Sequence, residues 1–137
     1  MDVKPKADQE QLVSIVDDDA SVRRSTHRLL ASSGLRVEAF ASAEEFLQLG
    51  QVTETECLLL DLTMPGIGGI GLQRHLAEIG WQIPIVFLTA RASEAEEQRA
   101  LQAGAVRFLR KPVDKETLLQ AIRTALGRRE SRSGPDG

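Results

Sequence analysis

The stretch LLLDLTMPG (58–66) decides the fold class. Its leucine run is the continuous apolar pattern typical of a strand buried on both faces of a parallel sheet. The run ends at Asp61, although a carboxylate strongly resists transfer out of water. In open α/β sheets, ligands bind beyond the carboxyl ends of the strands. An acid at the end of a buried strand therefore indicates a functional site there.

Other apolar runs flank this strand on both sides. They are LVSIV (12–16), LRVEAF (35–40), IPIVFL (83–88) and AVRFL (105–109). Segments with helical spacing and helical caps lie between them. Strands that alternate with helices form parallel βαβ units with right-handed crossovers. We therefore predict an α/β domain with a five-stranded parallel sheet covered by helices on both faces.

Capping signals place the helices. The first is expected over 20–33 and the third over about 69–79. Capping boxes, in which a serine is followed three residues later by a glutamate, open the second and fourth helices, and an aspartate precedes the fifth. These cap residues are Ser42 with Glu45, Ser93 with Glu96, and Asp114. The fourth helix, about 92–102, offers mainly Ala95, Ala100 and Leu101 to the core, so we expect it to be the least firmly docked.

Composition excludes several classes of function. The chain has 137 residues, 42% of them hydrophobic, and a formal net charge of −3, which disfavours direct binding to DNA or to anionic membranes. Its one cysteine, Cys57, excludes an internal disulfide and is typical of a reducing compartment. No run reaches the roughly 18 apolar residues that a membrane span needs. We expect a cytoplasmic protein with a flexible N-terminus (1–10), one domain (11–127) and a linker or tail (128–137).

Polar residues follow four of the five strands. The first ends in Asp17, Asp18 and Asp19, the third in Asp61, the fourth in Thr89 and the fifth in Lys111. Any single aspartate after a strand is most often a turn or cap residue, and Asp19 is expected to cap the first helix. Together, however, the carboxylates repel one another and need a cation. An all-oxygen site of this kind suits Mg²⁺. With the Lys111 ammonium and the Thr89 hydroxyl, the set predicts a site for a phosphoryl group on Asp61.

Four motifs resemble the receiver domain of bacterial two-component response regulators. They are IVDDD (15–19), LLLDLTMPGIGG (58–69), IVFLTA (85–90) and FLRKP (108–112), in the family's order and spacing. The resemblance covers roughly residues 11–127. The segments ASAEEFL (41–47) and AGAVRFLRKPV (103–113) are most similar to receivers of the nitrogen-fixation regulator type, which a LuxR-type helix-turn-helix domain usually follows. The resemblance implies the flavodoxin-like strand order 2-1-3-4-5.

Site roles are implied residue by residue where the motifs match. Asp61 would be the phospho-acceptor, Asp18 a direct Mg²⁺ ligand, Asp17 a ligand through water, and the backbone carbonyl of Thr63 a further ligand. Thr89 and Lys111 would contact the phosphoryl group. Phe108 would be the switch aromatic, and a cis peptide before Pro112 would aim Lys111 into the site. The two positions that tune dephosphorylation fall on Thr63 and Arg91.

The resemblance also implies partners and an output. A sensor histidine kinase would donate the phosphoryl group. The surface around the fourth helix and fifth strand would then change, controlling a phosphorylation-dependent homodimer or an output domain. DNA would be contacted only by a helix-turn-helix domain that is absent from this chain. The alternative output is that of a stand-alone single-domain regulator acting through protein–protein contacts. The chain would be a signalling protein, not an enzyme, beyond its own phosphorylation and dephosphorylation.

The sequence departs from the family pattern at two places, and three competing classes of protein do not fit it. Val113 stands where the family commonly has Phe, and the glycine-rich start GIGGIGL (66–72) favours a late or frayed third helix. An aspartyl phosphatase would need an acid at position 63, which is Thr63. A flavodoxin-like cofactor binder would need a phosphate-cradling loop where the three acids lie. A degenerate receiver would have lost an acid, the lysine or the acceptor, and none is lost.

Overall fold

The computed structural model describes residues 11–132, with side chains described as far as Arg128. Within them, five strands and five α-helices alternate, which confirms the predicted α/β class. The strands are β1 (Leu12–Val16), β2 (Arg36–Phe40), β3 (Thr55–Leu60), β4 (Ile85–Thr89) and β5 (Arg107–Arg110). The helices are α1 (Ala20–Ser32), α2 (Ala43–Leu49), α3 (Gly68–Glu78), α4 (Glu94–Gln102) and α5 (Lys115–Arg132). A short 3₁₀ turn, Val52–Glu54, precedes β3.

The described strands form one parallel sheet in the order β2-β1-β3-β4-β5, as the resemblance implied. After β2, the chain therefore crosses to the other side of β1, so that β3 pairs with β1. Val16 is paired with Leu60, and the N–H of Asp61 donates to the carbonyl of Val16 at 2.9 Å. The acids that follow these two strands consequently emerge side by side.

Both faces of the sheet are buried, which explains the continuous apolar runs. All residues of β1 and β4 are buried, as are the three leucines of β3. One core layer includes Phe46 of α2, Leu72 of α3 and Phe87 of β4, and the opposite layer includes Leu30 of α1 and Ile122 of α5. Burial of apolar area stabilises by roughly 25 cal/mol per Å². The two layers therefore hold the strand ends in fixed relative positions.

Side-chain caps begin four of the helices at the predicted residues, and at α5 Asp114 accepts from the N–H of Thr117. Asp19 accepts two backbone N–H bonds at the start of α1, as expected. Ser93 and Glu96 form the complete reciprocal capping box of α4. At α2, Ser42 accepts from the N–H of Glu45, but the Glu45 carboxylate binds the N–H of the residue before the cap, so that box is only half formed. The glycine-rich α3 begins at Gly68, without the late start that its glycines suggested.

Helix α4 has little contact with the core. Of its nine residues, all described, only Ala100 is buried. Leu101, which we expected on the apolar side, is 38% exposed, and Ala95 is exposed as well. The prediction of a stripe of three apolar residues is therefore wrong. The resulting single buried contact agrees with the expectation that α4 is the least firmly docked helix.

The ends of the described part differ from the predicted boundaries in one respect. Helix α5 continues to Arg132, so residues 128–132, which we assigned to a linker or tail, are helical. The proposed flexible N-terminus (1–10) and the last part of the tail (133–137) lie outside the described residues. Among residues 11–132, none of the helices combines the length and apolar character that crossing a membrane requires.

Candidate functional site

Three carboxylates meet at the carboxyl edge of the sheet. Asp17 and Asp18 follow β1, Asp61 follows β3, and one oxygen of each lies within 4.8 Å of the others. Asp17 and Asp61 are buried, with exposed fractions of 3% and 7%, whereas Asp18 is exposed. We call these three residues the acidic cluster. The structure thus brings together the acids that sequence reasoning grouped.

Lys111 is the cation of the site. Its ammonium donates to Asp17 Oδ2 at 2.9 Å and lies 3.6 Å from Asp61 Oδ2. The peptide bond between Lys111 and Pro112 is cis, as predicted. Burial, the largest single influence, lowers the pKa of Lys111, but the hydrogen bond that Lys111 donates to Asp17 and the charges of Asp61 and Asp17 outweigh it and raise the pKa overall. Lys111 therefore remains an ammonium.

The surroundings of Asp61 disfavour its free carboxylate, and therefore favour protonation or the binding of a cation. Burial raises its pKa above the usual range, and the neighbouring charge of Asp17 raises it further. The Lys111 ammonium, the hydroxyl of Thr89 and the N–H of Thr63 act in the opposite direction without cancelling the rise. That N–H lies 3.4 Å from Asp61 Oδ1. The Lys111 ammonium therefore offsets only part of the cost of burying the Asp61 carboxylate beside Asp17.

Mg²⁺ fits this donor set. Three carboxylates and one ammonium leave a formal charge of −3 + 1 = −2 at the acidic cluster. The donors are all oxygen, which suits a hard divalent ion, and Mg²⁺ typically uses one or two carboxylates together with water. Asp17 already binds Lys111 and the N–H of Asp19, at 2.9 Å each, so it is less free to bind a metal directly than Asp18 or Asp61. This agrees with an indirect role for Asp17.

Thr89 lies at the end of β4 and is 1% exposed. Its hydroxyl donates to the carbonyl of Arg91 at 3.1 Å, and the N–H of Arg91 lies 3.4 Å from the same oxygen. The Thr89 hydroxyl therefore stabilises the turn between β4 and α4. Arg91 and Thr63 are exposed beside the site, and their predicted roles, the Thr63 carbonyl ligand included, stay predictions.

Sequence reasoning missed Arg110, which connects β5 to α4. It donates to the carbonyl of Ala92 and to Glu97 Oε1, at 2.8 Å each. Its guanidinium also lies 5.5 Å from the ring centre of Phe108. Phe108 is half-buried, and its ring lies 5.7 Å from that of Phe87. Arg110 therefore covers the predicted switch aromatic; its position beside Lys111 was the only available signal.

The order of the parallel strands and the position of Lys111 beside the acidic cluster agree with what the receiver-type sequence motifs imply. The model of the response regulator receiver domain family matches residues 13–123, and the chain belongs to that family. It is thus a receiver domain of a two-component response regulator, a signalling domain and not a classical enzyme.

Individual relatives agree with this assignment. Response regulator protein TmoT of Ectopseudomonas mendocina is 47% identical over 120 residues, which are 87% of this chain and 54% of TmoT. Transcriptional regulatory protein FixJ of Azorhizobium caulinodans is 37% identical, covering 85% of this chain and 55% of FixJ. The solved structure of response regulator StyR is 43% identical with a TM-score of 0.84, covering 90% of this chain and 63% of StyR. The chain spans about half the length of these curated relatives.

Proposed function

We propose that Asp61 accepts a phosphoryl group from a phosphohistidine of a sensor histidine kinase, with Mg²⁺ at the acidic cluster. The observation that carries this proposal is the placement of Asp61, a buried carboxylate between two acids and the ammonium of Lys111. Asp18 and Asp61 would hold the ion directly, Asp17 through water, and the Thr63 carbonyl would add a ligand. When bound, Mg²⁺ offsets negative charge on the transferring oxygens.

The chain's own residues supply the nucleophile and part of the charge stabilisation. An Asp61 carboxylate oxygen forms the new bond to phosphorus as the bond between phosphorus and the donor imidazole nitrogen breaks, and the imidazole leaves. Lys111 stabilises the charge that develops on the phosphoryl oxygens. Its bond to Asp17 holds the ammonium 3.6 Å from the acceptor before the substrate arrives.

Phosphorylation would then change the hydrogen bond of Thr89. The hydroxyl leaves the Arg91 carbonyl for a phosphoryl oxygen, which removes a brace from the turn that precedes α4. Phe108 turns inward into the space behind Thr89. Because α4 has one buried residue, a small change in this turn is enough to shift it.

The altered surface of α4 and β5 would control dimerisation or an output domain. Since the chain spans about half of TmoT and of FixJ, an output domain belongs to the part of such proteins that this chain does not cover. For the whole protein we propose a cytoplasmic transcription regulator whose helix-turn-helix domain contacts DNA. A stand-alone regulator acting through protein–protein contacts is the alternative.

Phosphorylation is tested with acetyl phosphate and Mg²⁺, by intact-protein mass. The wild type should gain one phosphoryl mass, and Asp61→Asn should gain none. Asp114→Asn is a matched control, because asparagine caps a helix as well as aspartate does and Asp114 caps α5. Labelling of Asp61→Asn at the wild-type rate would show that the acceptor is wrongly assigned.

The switch is tested by solution mass and hydrogen exchange with and without beryllofluoride. We expect a higher mass and a changed exchange protection of α4 in the wild type loaded with beryllofluoride. A loaded protein that changes neither its mass nor the protection of α4 would contradict the switch while leaving the acceptor assignment intact.

A further inference from the structure

A groove with a basic rim lies between α1 and the edge strand β2. Its volume is about 460 Å³, and five of its six lining residues belong to α1. These six residues, which we call the basic groove, are Arg23, Arg24, His27, Arg28, Ala31 and Ala39. Three arginines and one histidine therefore line the groove together with two alanines.

The arginines of this helix are not explained by helix stability. Arg24 and Arg28 are four residues apart, and like charges at this spacing destabilise a helix. Arg23 and Arg24 also lie near the N-terminal end, where the helix dipole disfavours cations. Helix α1 contains no acidic residue that could compensate. The positive charge on α1 therefore does not contribute to the stability of this helix.

Most of this charge has no partner in the described part of the chain. Arg23 donates to the backbone carbonyl of Asp17 at 2.8 Å. Neither Arg24 nor Arg28 forms a hydrogen bond or an ion pair with another described residue. Both side chains are exposed and are therefore available to an external anion.

The basic groove and the acidic cluster share no residue, and they touch only where Arg23 donates to the backbone carbonyl of Asp17. Strand β1 separates β2, which carries Ala39, from β3, which Asp61 follows. The chain as a whole carries a formal charge of −3, so the groove is a local basic feature and not part of a generally basic surface.

We infer that the basic groove docks an acidic amphipathic helix of a partner protein. Carboxylates one turn apart on that helix would meet Arg24 and Arg28, whose guanidinium groups bind carboxylates in a bidentate manner. Small side chains between those carboxylates would rest on Ala31 and Ala39. Only Ala39 of the lining residues comes from β2. The occupant therefore contacts mainly side chains of α1, and it does not extend the sheet by forming backbone hydrogen bonds with β2.

The test uses two labelled synthetic peptides and fluorescence anisotropy at low and physiological salt. One is a helical peptide with glutamates at i and i+4 and alanines on the same face; the other has the same composition with glutamates spread around the helix. We expect saturable binding of the first only. The double variant Arg24→Gln/Arg28→Gln should weaken it by about tenfold or more.

The control variant is Arg74→Gln/Arg123→Gln, which removes two exposed arginines from α3 and α5. It should bind like the wild type, and both double variants should take up phosphate normally, which keeps this test independent of the acceptor. Absence of binding at low salt, equal weakening by the two variants, or equal binding of the two peptides overturns the inference. So does tighter groove-dependent binding of a DNA or RNA oligonucleotide, which would make the groove a nucleic-acid surface.

Discussion

Replacing Gly69 by alanine tests how closely α3 packs against the strand that ends at Asp61. Gly69 is buried in the first turn of α3, and its N–H donates to the Leu62 carbonyl at 2.9 Å. An added Cβ would overlap the carbonyl oxygen of Asp61. It would also lie 2.9 Å from Leu62 Cα and 3.0 Å from a ring carbon of the fully buried Phe87. Backbone and core would both have to move.

The magnitude follows from two opposing effects. Alanine stabilises a helix relative to glycine by about 0.5–1 kcal/mol. Overpacking a tight site costs about 1–3 kcal/mol, and the upper part of that range applies because the clash at Gly69 involves backbone. We expect a net loss of about 1–2 kcal/mol in the free energy of unfolding. In urea this lowers the midpoint by about 0.5–1 M.

Gly71→Ala is the matched control in the same helix. Its Cβ would lie 3.2 Å from the Cβ of Ile67, and because Ile67 is 43% exposed and immediately precedes the helix, a shift of this residue by a few tenths of an ångström relieves the contact. Here the helix preference should prevail, with a gain of about 0.5–1 kcal/mol. Acetyl phosphate labelling should slow in Gly69→Ala, which displaces the Asp61 backbone, and stay normal in Gly71→Ala. Midpoints that move in the same direction for both variants would refute the proposed close packing.

Three further outcomes are expected. Asp61→Asn should raise the urea midpoint at neutral pH without Mg²⁺, because the folded-state pKa of Asp61 is raised by burial and by Asp17. A raised pKa means that the wild type loses stability as pH rises through it, so the gain should vanish at pH values below the unfolded pKa of about 3.9. Arg110→Met should lower the exchange protection of α4 without phosphorylation, since it removes the bonds to Glu97 and to the Ala92 carbonyl; unchanged protection would show that Arg110 does not hold α4. Chelation of Mg²⁺ should abolish labelling by acetyl phosphate, and labelling that persists in excess chelator would exclude a metal requirement.

The buried strands and the meeting of their acids at one edge were predictable from backbone rules, whereas the strand order was implied by the resemblance to receiver domains. Apolar runs locate buried strands, and the acids that end β1 and β3 lie beside each other once those strands pair. Which carboxylate Lys111 contacts most closely was harder to predict from the sequence. The Lys111 ammonium lies 2.9 Å from Asp17 and 3.6 Å from Asp61. Side-chain geometry of this kind depends on which carboxylate is already satisfied, and strand-end positions carry no such information.

Contacts between side chains distant in sequence were not predictable. Arg110 binds Glu97 and Ala92, which lie 13 and 18 residues away, through a side chain that has many rotamers. The close approach of Gly69 was also missed, since the glycine-rich segment suggested only fraying. Gly69 lacks a side chain where α3 lies against the backbone of Asp61 and Leu62, directly after β3. Composition shows that a glycine is present but not which backbone it approaches.

Helix α4 is held by one buried apolar contact and by several polar contacts, and under the proposed switch this is how a change at Asp61 would reach it. Its burial rests on Ala100, while its first turn depends on the Ser93–Glu96 capping box and on Arg110. Polar contacts therefore contribute much of what holds α4 in place. Such contacts are individually modest, since exposed ion pairs typically contribute about 0–1 kcal/mol. A new bond made by Thr89, two residues before Arg91, is thus comparable in size to what it must overcome, and α4 can respond without any rearrangement of the two core layers.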